Sequence, residues 1–201
     1  YTLIKLGLIL MISGCSTMPA SQQSGVQPIS EPPTMNSPIC TQESAIEYIR
    51  FINKLVSTHP DLKIEEVMKL GKVIDTLASG KMSDIYIKPN KQGCFDRVGF
   101  TYRQVVDSAA QTGKADTYLS SVDLFPSKGL PLIMLDELNR QLGWHLEKSS
   151  TPTVLDPTSH LRSYVDVVRF DTGFYYRRLV TYSEEKPVEN SKIVKINFDV
   201  N

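Results

Sequence analysis

Three histidines, His59, His145 and His160, are the side chains of this chain best suited to move a proton near neutral pH. A zinc protease would set two of them on one helix face as HExxH, and a serine hydrolase would place its nucleophile in a GxSxG turn. None of the three sits in such a motif, and all read as surface or partly buried histidines. Carboxylates pair in sequence at Glu65-Glu66, Asp136-Glu137 and Glu184-Glu185. Glycoside chemistry needs two carboxyls facing each other across a cleft, whereas neighbours on a helix diverge. These pairs read as solvated faces and a polar turn. Ser79-Gly80-Lys81 lacks the rest of a phosphate loop and reads as a helix end. Cys15, Cys40 and Cys94 are too dispersed for the clustered ligands of zinc. No catalytic residue, metal or cofactor is expected, and the chain reads as a non-enzyme.

One constellation points to recognition instead. Tyr164, Phe170, Phe174, Tyr175, Tyr176, Arg177, Arg178 and Tyr182 crowd a short stretch. In a strand after Gly173, one face carries Phe174, Tyr176, Arg178, Val180 and Tyr182, and the other Tyr175, Arg177, Leu179 and Thr181. One face must cover the core. Exposed Tyr and Arg are favoured anchors at binding hot spots, so the Tyr175 and Arg177 side is the candidate partner surface. The plainer alternative is a solvent-facing sheet whose Tyr and Arg cover their neighbours.

The first residues carry a second signal. Lys5 precedes the apolar run Leu6-Gly7-Leu8-Ile9-Leu10-Met11-Ile12, the pattern of a secretory signal. It is well short of the ~20 residues that span a bilayer. Tyr1 is not an initiator Met, so the start is expected upstream. Ile12-Ser13-Gly14-Cys15 resembles the lipobox of bacterial lipoproteins. The resemblance implies cleavage before Cys15, a diacylglyceryl group on its thiol and acylation of its new amino group. Two or more acyl chains give stable anchoring. In such proteins Asp after the Cys favours the inner membrane; here Ser16 follows, which implies the outer membrane, facing the periplasm.

Residues 1–14 are thus expected to be the signal and 15–39 a lipidated tether. The tether is rich in Ser, Thr, Gln and Pro, with Glu31 as its only charge. It has too little apolar surface to offset ordering entropy, and a coil of that length spans roughly 25–30 Å. With Cys15 taken by lipid, Cys40 and Cys94 are left in a compartment where disulfides persist. Their bridge would pin the tether's end to a hairpin; two separate thiols are the alternative.

Residues 40–201 are long enough for one domain with a real core. Lys plus Arg and Asp plus Glu both number 22, giving formal net charge +0. No basic face is evident along the chain, so nucleic acid is not an expected partner. Thr41 can cap a helix carrying Ile46, Ile49, Ile52, Leu55 and Val56, stopped by Pro60. Asp61 can cap a second, with Ile64, Val67, Leu70, Ile74 and Leu77 as its stripe and Gly80 as its stop. Alternation around Ile85 and Ile87, then Val98, Phe100 and Tyr102, predicts a hairpin about residues 90–93. A short helical turn is possible in 104–112, and 117–125 reads as a strand. Pro131 suits the first turn of a helix ended by Gly143, with a return strand over 144–148. Residues 130–146 also resemble the strand-helix-strand elements of small periplasmic modules in secretion-channel proteins. Strands over 164–170 and 174–182 flank the turn Asp171-Thr172-Gly173, and Val194, Ile196, Phe198 and Val200 alternate in a last strand. The expected class is α+β: an N-terminal helix pair, then a mainly antiparallel sheet with one further helix.

The leading expectation is a membrane-anchored, non-catalytic module that binds another envelope protein. The alternatives are a periplasmic inhibitor or immunity protein and, less favoured, a wall or lipid hydrolase with dispersed residues.

Overall fold

The computed structural model describes residues 40–58, 62–90, 93–106, 115–149, 160–169 and 175–200. Residues 1–39, with Cys15, lie outside these, as do His59, Pro60, Asp61, Phe170, Phe174 and the Asp171-Thr172-Gly173 turn. Most of the 104–112 segment is also outside, and Gln104 itself belongs to a strand.

Helix α1 (Gln42–Thr58) begins where the capping chemistry places it. Thr41 Oγ1 accepts the Ser44 amide at 3.1 Å, and Ser44 Oγ accepts the Thr41 amide at 3.0 Å. This is a reciprocal capping box with Ser in place of Glu. Glu43 sits in the first turn, favourable against the helix dipole. Ala45, Ile46, Ile49 and Ile52 are buried along one stripe.

The second helix does not extend as its spacing predicts. Only Ile64–Val67 form a turn of helix, α2, and Gly71–Ser79 form strand β1. Val67 and Leu70 are buried, but Ile74 and Leu77 are 49% and 53% exposed. Val73, Ile74 and Thr76 are β-branched and favour an extended chain. The hairpin to β2 (Met82–Pro89) decides the outcome, with Ser79 paired to Met82 across Gly80-Lys81. Gly80 has φ 59°, so it makes a tight β-turn rather than stopping a helix. At the other end, a Cβ on Gly71 would lie 2.3 Å from the Lys88 carbonyl oxygen.

The remaining elements are β3 (Phe95–Val106), β4 (Ala115–Pro126), β5 (Leu130–Pro131), α3 (Met134–Leu142), β6 (Glu147–Lys148), β7 (Leu161–Arg169), β8 (Tyr175–Ser183) and β9 (Lys192–Val200). They build one antiparallel sheet in the order β1-β2-β3-β4-β9-β8-β7-β6, with β5 also pairing β9. The chain is therefore α+β with a mainly antiparallel sheet. Pro131 does not enter the helix: it pairs Lys192 in β5, and α3 starts at Met134. Gly143 ends α3 with φ 64°, as its left-handed conformation permits. The return strand over 144–148 shrinks to Glu147–Lys148, because Trp144 is buried in the core instead.

The last strand enters the middle of the sheet, between β4 and β8. One cross-strand line on the covered face runs Ile85, Phe100, Val122, Phe198, Arg178, Asp166. Its apolar members pack into one core with α1, α3 and Trp144. Each fully buried side chain of this size contributes about 1.5–3 kcal/mol. The opposite face carries Thr101, Ser121, Asp199, Arg177 and Val167 in the next line, and no described helix packs on it.

Candidate functional site

Tyr175 and Arg177 stand on that face, which no helix among the described residues covers. Their part of it is open, whereas Ser163, Thr181 and Asn197 on the same face are buried. Tyr176, Arg178, Val180 and Tyr182 of β8 are buried and Tyr175 and Arg177 exposed, as expected. Leu179, however, is half-buried, and Thr181, expected with the exposed set, is buried beside a bulge in the pairing with β9. Arg177 lies in register between Asp199 and Val167. Its Nε donates to Asp199 Oδ2 at 3.0 Å, and its Nη2 makes a second, shorter bond to the same oxygen. The guanidinium is therefore held in place by a neighbour on the same sheet. Tyr175 and Val167 keep 43% and 47% of their surface exposed.

The adjacent Arg178 has a different fate. Its Nη1 donates to Asp166 Oδ2 at 2.5 Å, and its Nε to Asn53 Oδ1 at 3.1 Å. Nη2 donates to the Tyr176 hydroxyl, and the guanidinium lies 5.0 Å from the Trp144 ring. Arg178 and Asp166 are both buried. A buried charge persists only when paired and hydrogen-bonded. This cluster ties α1, β7, β8 and the start of the 144–148 segment together. Sequence reading placed Arg178 on the core-facing side but missed Asp166 and Asn53 as its partners. The available signal was the arginine itself, since one facing the core requires an acid somewhere.

The other candidate groups remain apart. His145 is exposed on a shallow cleft of about 590 Å³, lined also by Asp136, Asn139, Arg140 and Glu147. His160 is exposed beside β7. Glu66 accepts the Lys63 amide at 3.0 Å, capping α2. Glu137 is held below the usual carboxylate range by hydrogen bonds from Gln141 and Arg140. Glu184 faces Arg162 at 3.3 Å. Each of these carboxylates thus has a local structural partner. Among the described residues, no three His, Cys, Asp or Glu side chains stand together as metal ligands.

Cys40 and Cys94 are joined in a disulfide. The bridge fixes the residue just before the α1 cap to the loop entering β3, where Ser44 Oγ lies 3.2 Å from Cys94 Sγ. A cleft of about 500 Å³ adjoins it, between the start of α1 and the 127–131 segment.

The uncovered face also carries cations that linear reading did not group. Arg97 lies 4.2 Å from the Phe125 ring centre and 5.2 Å from that of Tyr86. The Tyr86 ring packs closely over Gly99, which has no side chain; a Cβ there would meet the ring at 2.8 Å. Lys195 contacts Asp123 at 2.9 Å and lies 5.6 Å from the same Phe125 ring. Burial, then Asp84 and Asp123, pushes the Tyr86 hydroxyl above its ordinary range.

Comparison of the chain with protein-family models, curated proteins and solved structures finds no match.

Proposed function

We propose that this chain is a lipid-anchored protein of the bacterial envelope whose domain binds another envelope protein without catalysing a reaction. The observation that carries the binding reading is the sheet face opposite α1 and α3, which presents Tyr175, Val167 and a series of cations. Tyr and Arg of this kind are the commonest anchors of protein interfaces. The lipobox-like Ile12-Ser13-Gly14-Cys15 supports attachment through Cys15, and Ser16 supports the outer membrane, facing the periplasm. The Cys40–Cys94 disulfide supports an oxidising compartment.

The test is crosslinking in cells followed by affinity capture, comparing the wild type with Tyr175→Ala and Arg177→Ala. One dominant protein, captured by the wild type and weakened in both variants, is the expected result. Its identity separates an envelope accessory from an inhibitor of a toxin or hydrolase. Absence of any specific captured protein overturns the binding reading.

A further inference from the structure

Lys72 on β1 is directly opposite Lys88 on β2. Ile87 pairs with Val98 on the covered face, so the next step places Lys88 beside Arg97 on the uncovered one. Arg97 in turn is opposite Phe125, and Leu124 opposite Ile196 brings Lys195 to the far side of that ring. One line across five strands therefore reads Lys72, Lys88, Arg97, Phe125, Lys195. At ~4.8 Å between strands it extends roughly 20 Å. Like charges placed opposite each other destabilise a sheet. Here Lys72, Lys88 and Arg97 are all exposed, and among the described residues none has a carboxylate partner.

We infer that this line is the seat of an acidic, extended segment of a partner protein, laid across the strands with its Asp or Glu carboxylates on the three cations. The inference rests on the protein-binding reading and names the chemistry of the partner. Arg97 lies against the Tyr86 and Phe125 rings, which restrain its guanidinium, and its fork of N–H donors suits a bidentate carboxylate. Two other polyanions fit less well. Single-stranded nucleic acid binds by stacking bases on free aromatic faces, and Arg97 already occupies the rings. An anionic membrane plane would meet the whole face. There the neighbouring line carries Asp75 and Asp123, and Asp84 and Asp199 lie beyond it. Cations and carboxylates then nearly balance, so only a narrow ligand confined to the line gains from it.

The test uses the full chain and fluorescein-labelled decaglutamate, with a thymidine decamer and phosphatidylglycerol vesicles as comparison probes. Wild type is expected to bind decaglutamate in a salt-dependent way and more tightly than either other probe. Lys88→Ala and Arg97→Ala should each weaken binding about tenfold, and Arg97→Lys should also weaken it because the fork is lost. Arg140→Ala, on α3, should leave binding unchanged. Circular dichroism checks that each variant is folded; if Arg97→Ala is not, Lys72→Ala with Lys88→Ala carries the comparison. No decaglutamate binding by wild type, unchanged binding in the Lys88→Ala/Arg97→Ala double variant, or equal binding of DNA or vesicles through the same residues overturns the inference. A partner still captured in cells by a chain that ignores decaglutamate would overturn this inference alone and leave the protein-binding reading standing.

Discussion

Two neighbouring arginines show how much a single position decides. Arg177 and Arg178 are one residue apart, and the strand's two-residue period sends one to water and the other into the core. For Arg178 the consequence is energetic. Removing only its acid leaves a buried guanidinium uncompensated, whereas replacing both charges with apolar groups is tolerated far better. Asp166→Ala should therefore cost about 3–5 kcal/mol, and Asp166→Leu combined with Arg178→Met much less. Urea denaturation of the two variants checks this. Equal losses in both would mean that the pair contributes by packing rather than by mutual neutralisation. Tyr48 gives a residue-scale prediction in pH. Its hydroxyl is buried with no hydrogen-bond partner among the described residues, and burial raises its pKa above the ordinary 10.0. A raised folded-state pKa means stability that is complete below pH 10 and declines as pH climbs above it. Tyr102 adds to the same decline, through burial and then the nearby Glu66 and Glu65. Tyr48→Phe should be neutral or slightly stabilising at pH 7 and should flatten the alkaline loss. Thermal melts between pH 7 and about 11 test it, and a variant as alkali-sensitive as wild type would contradict it.

Among the elements, α1 depends on more than its apolar stripe. Its capped start is bound through Cys40 to Cys94, 54 residues along the chain. The chain-entropy account gives a loop of that length about 4 kcal/mol of stabilisation, by restricting the unfolded state. Cys40→Ala with Cys94→Ala should lower stability by up to that amount and leave the sheet's circular dichroism intact. Denaturation with and without reductant measures the difference. An unchanged midpoint on reduction would show that the bridge adds nothing beyond the packing of Ile46, Ile49 and Ile52. β1 is the contrasting element. Its apolar residues recur at helical spacing, yet an edge strand forms, because β-branched Val73, Ile74 and Thr76 favour an extended chain and β2 pairs with it across a tight turn.

On the scale of the whole molecule, the proposed anchor at Cys15 tethers the proposed binding face of the folded domain to a membrane. Among the described residues no helix is long and apolar enough to cross a membrane; the attachment proposed above is through Cys15 and its acyl chains. Stable attachment needs at least two chains. Cys15→Ser should therefore move the protein from the membrane pellet to the soluble fraction without altering its melting temperature. Fractionation reads the outcome directly, and a variant that still pellets with membranes would sink the lipidation proposal.

Features under local chemical control were legible along the chain. The sequence marked the start of α1 through Thr41, the end of α3 through Gly143, the alternation of β2, of β3 and of residues 175–178 in β8, and hence the α+β class. It also named Tyr175 and Arg177 as exposed members of their strand, and Cys40 with Cys94 as a bridge. In β9, however, the bulge opposite Thr181 buries Ile193 where the alternation predicts Val194, and Asn197 is buried as well. Tertiary structure decided what depends on pairing between distant segments. The 71–79 stretch became a strand because β2 was available to pair with it, overriding a helical spacing of apolar residues. Asp166 became the counterion of Arg178 because β7 and β8 align those two positions. The line of Lys72, Lys88, Arg97 and Lys195 is invisible in a chain of zero net charge, since its members are far apart along the backbone. Strand order brings them into one line, and that order is set by long-range hydrogen bonding and core burial, which no local window of residues contains.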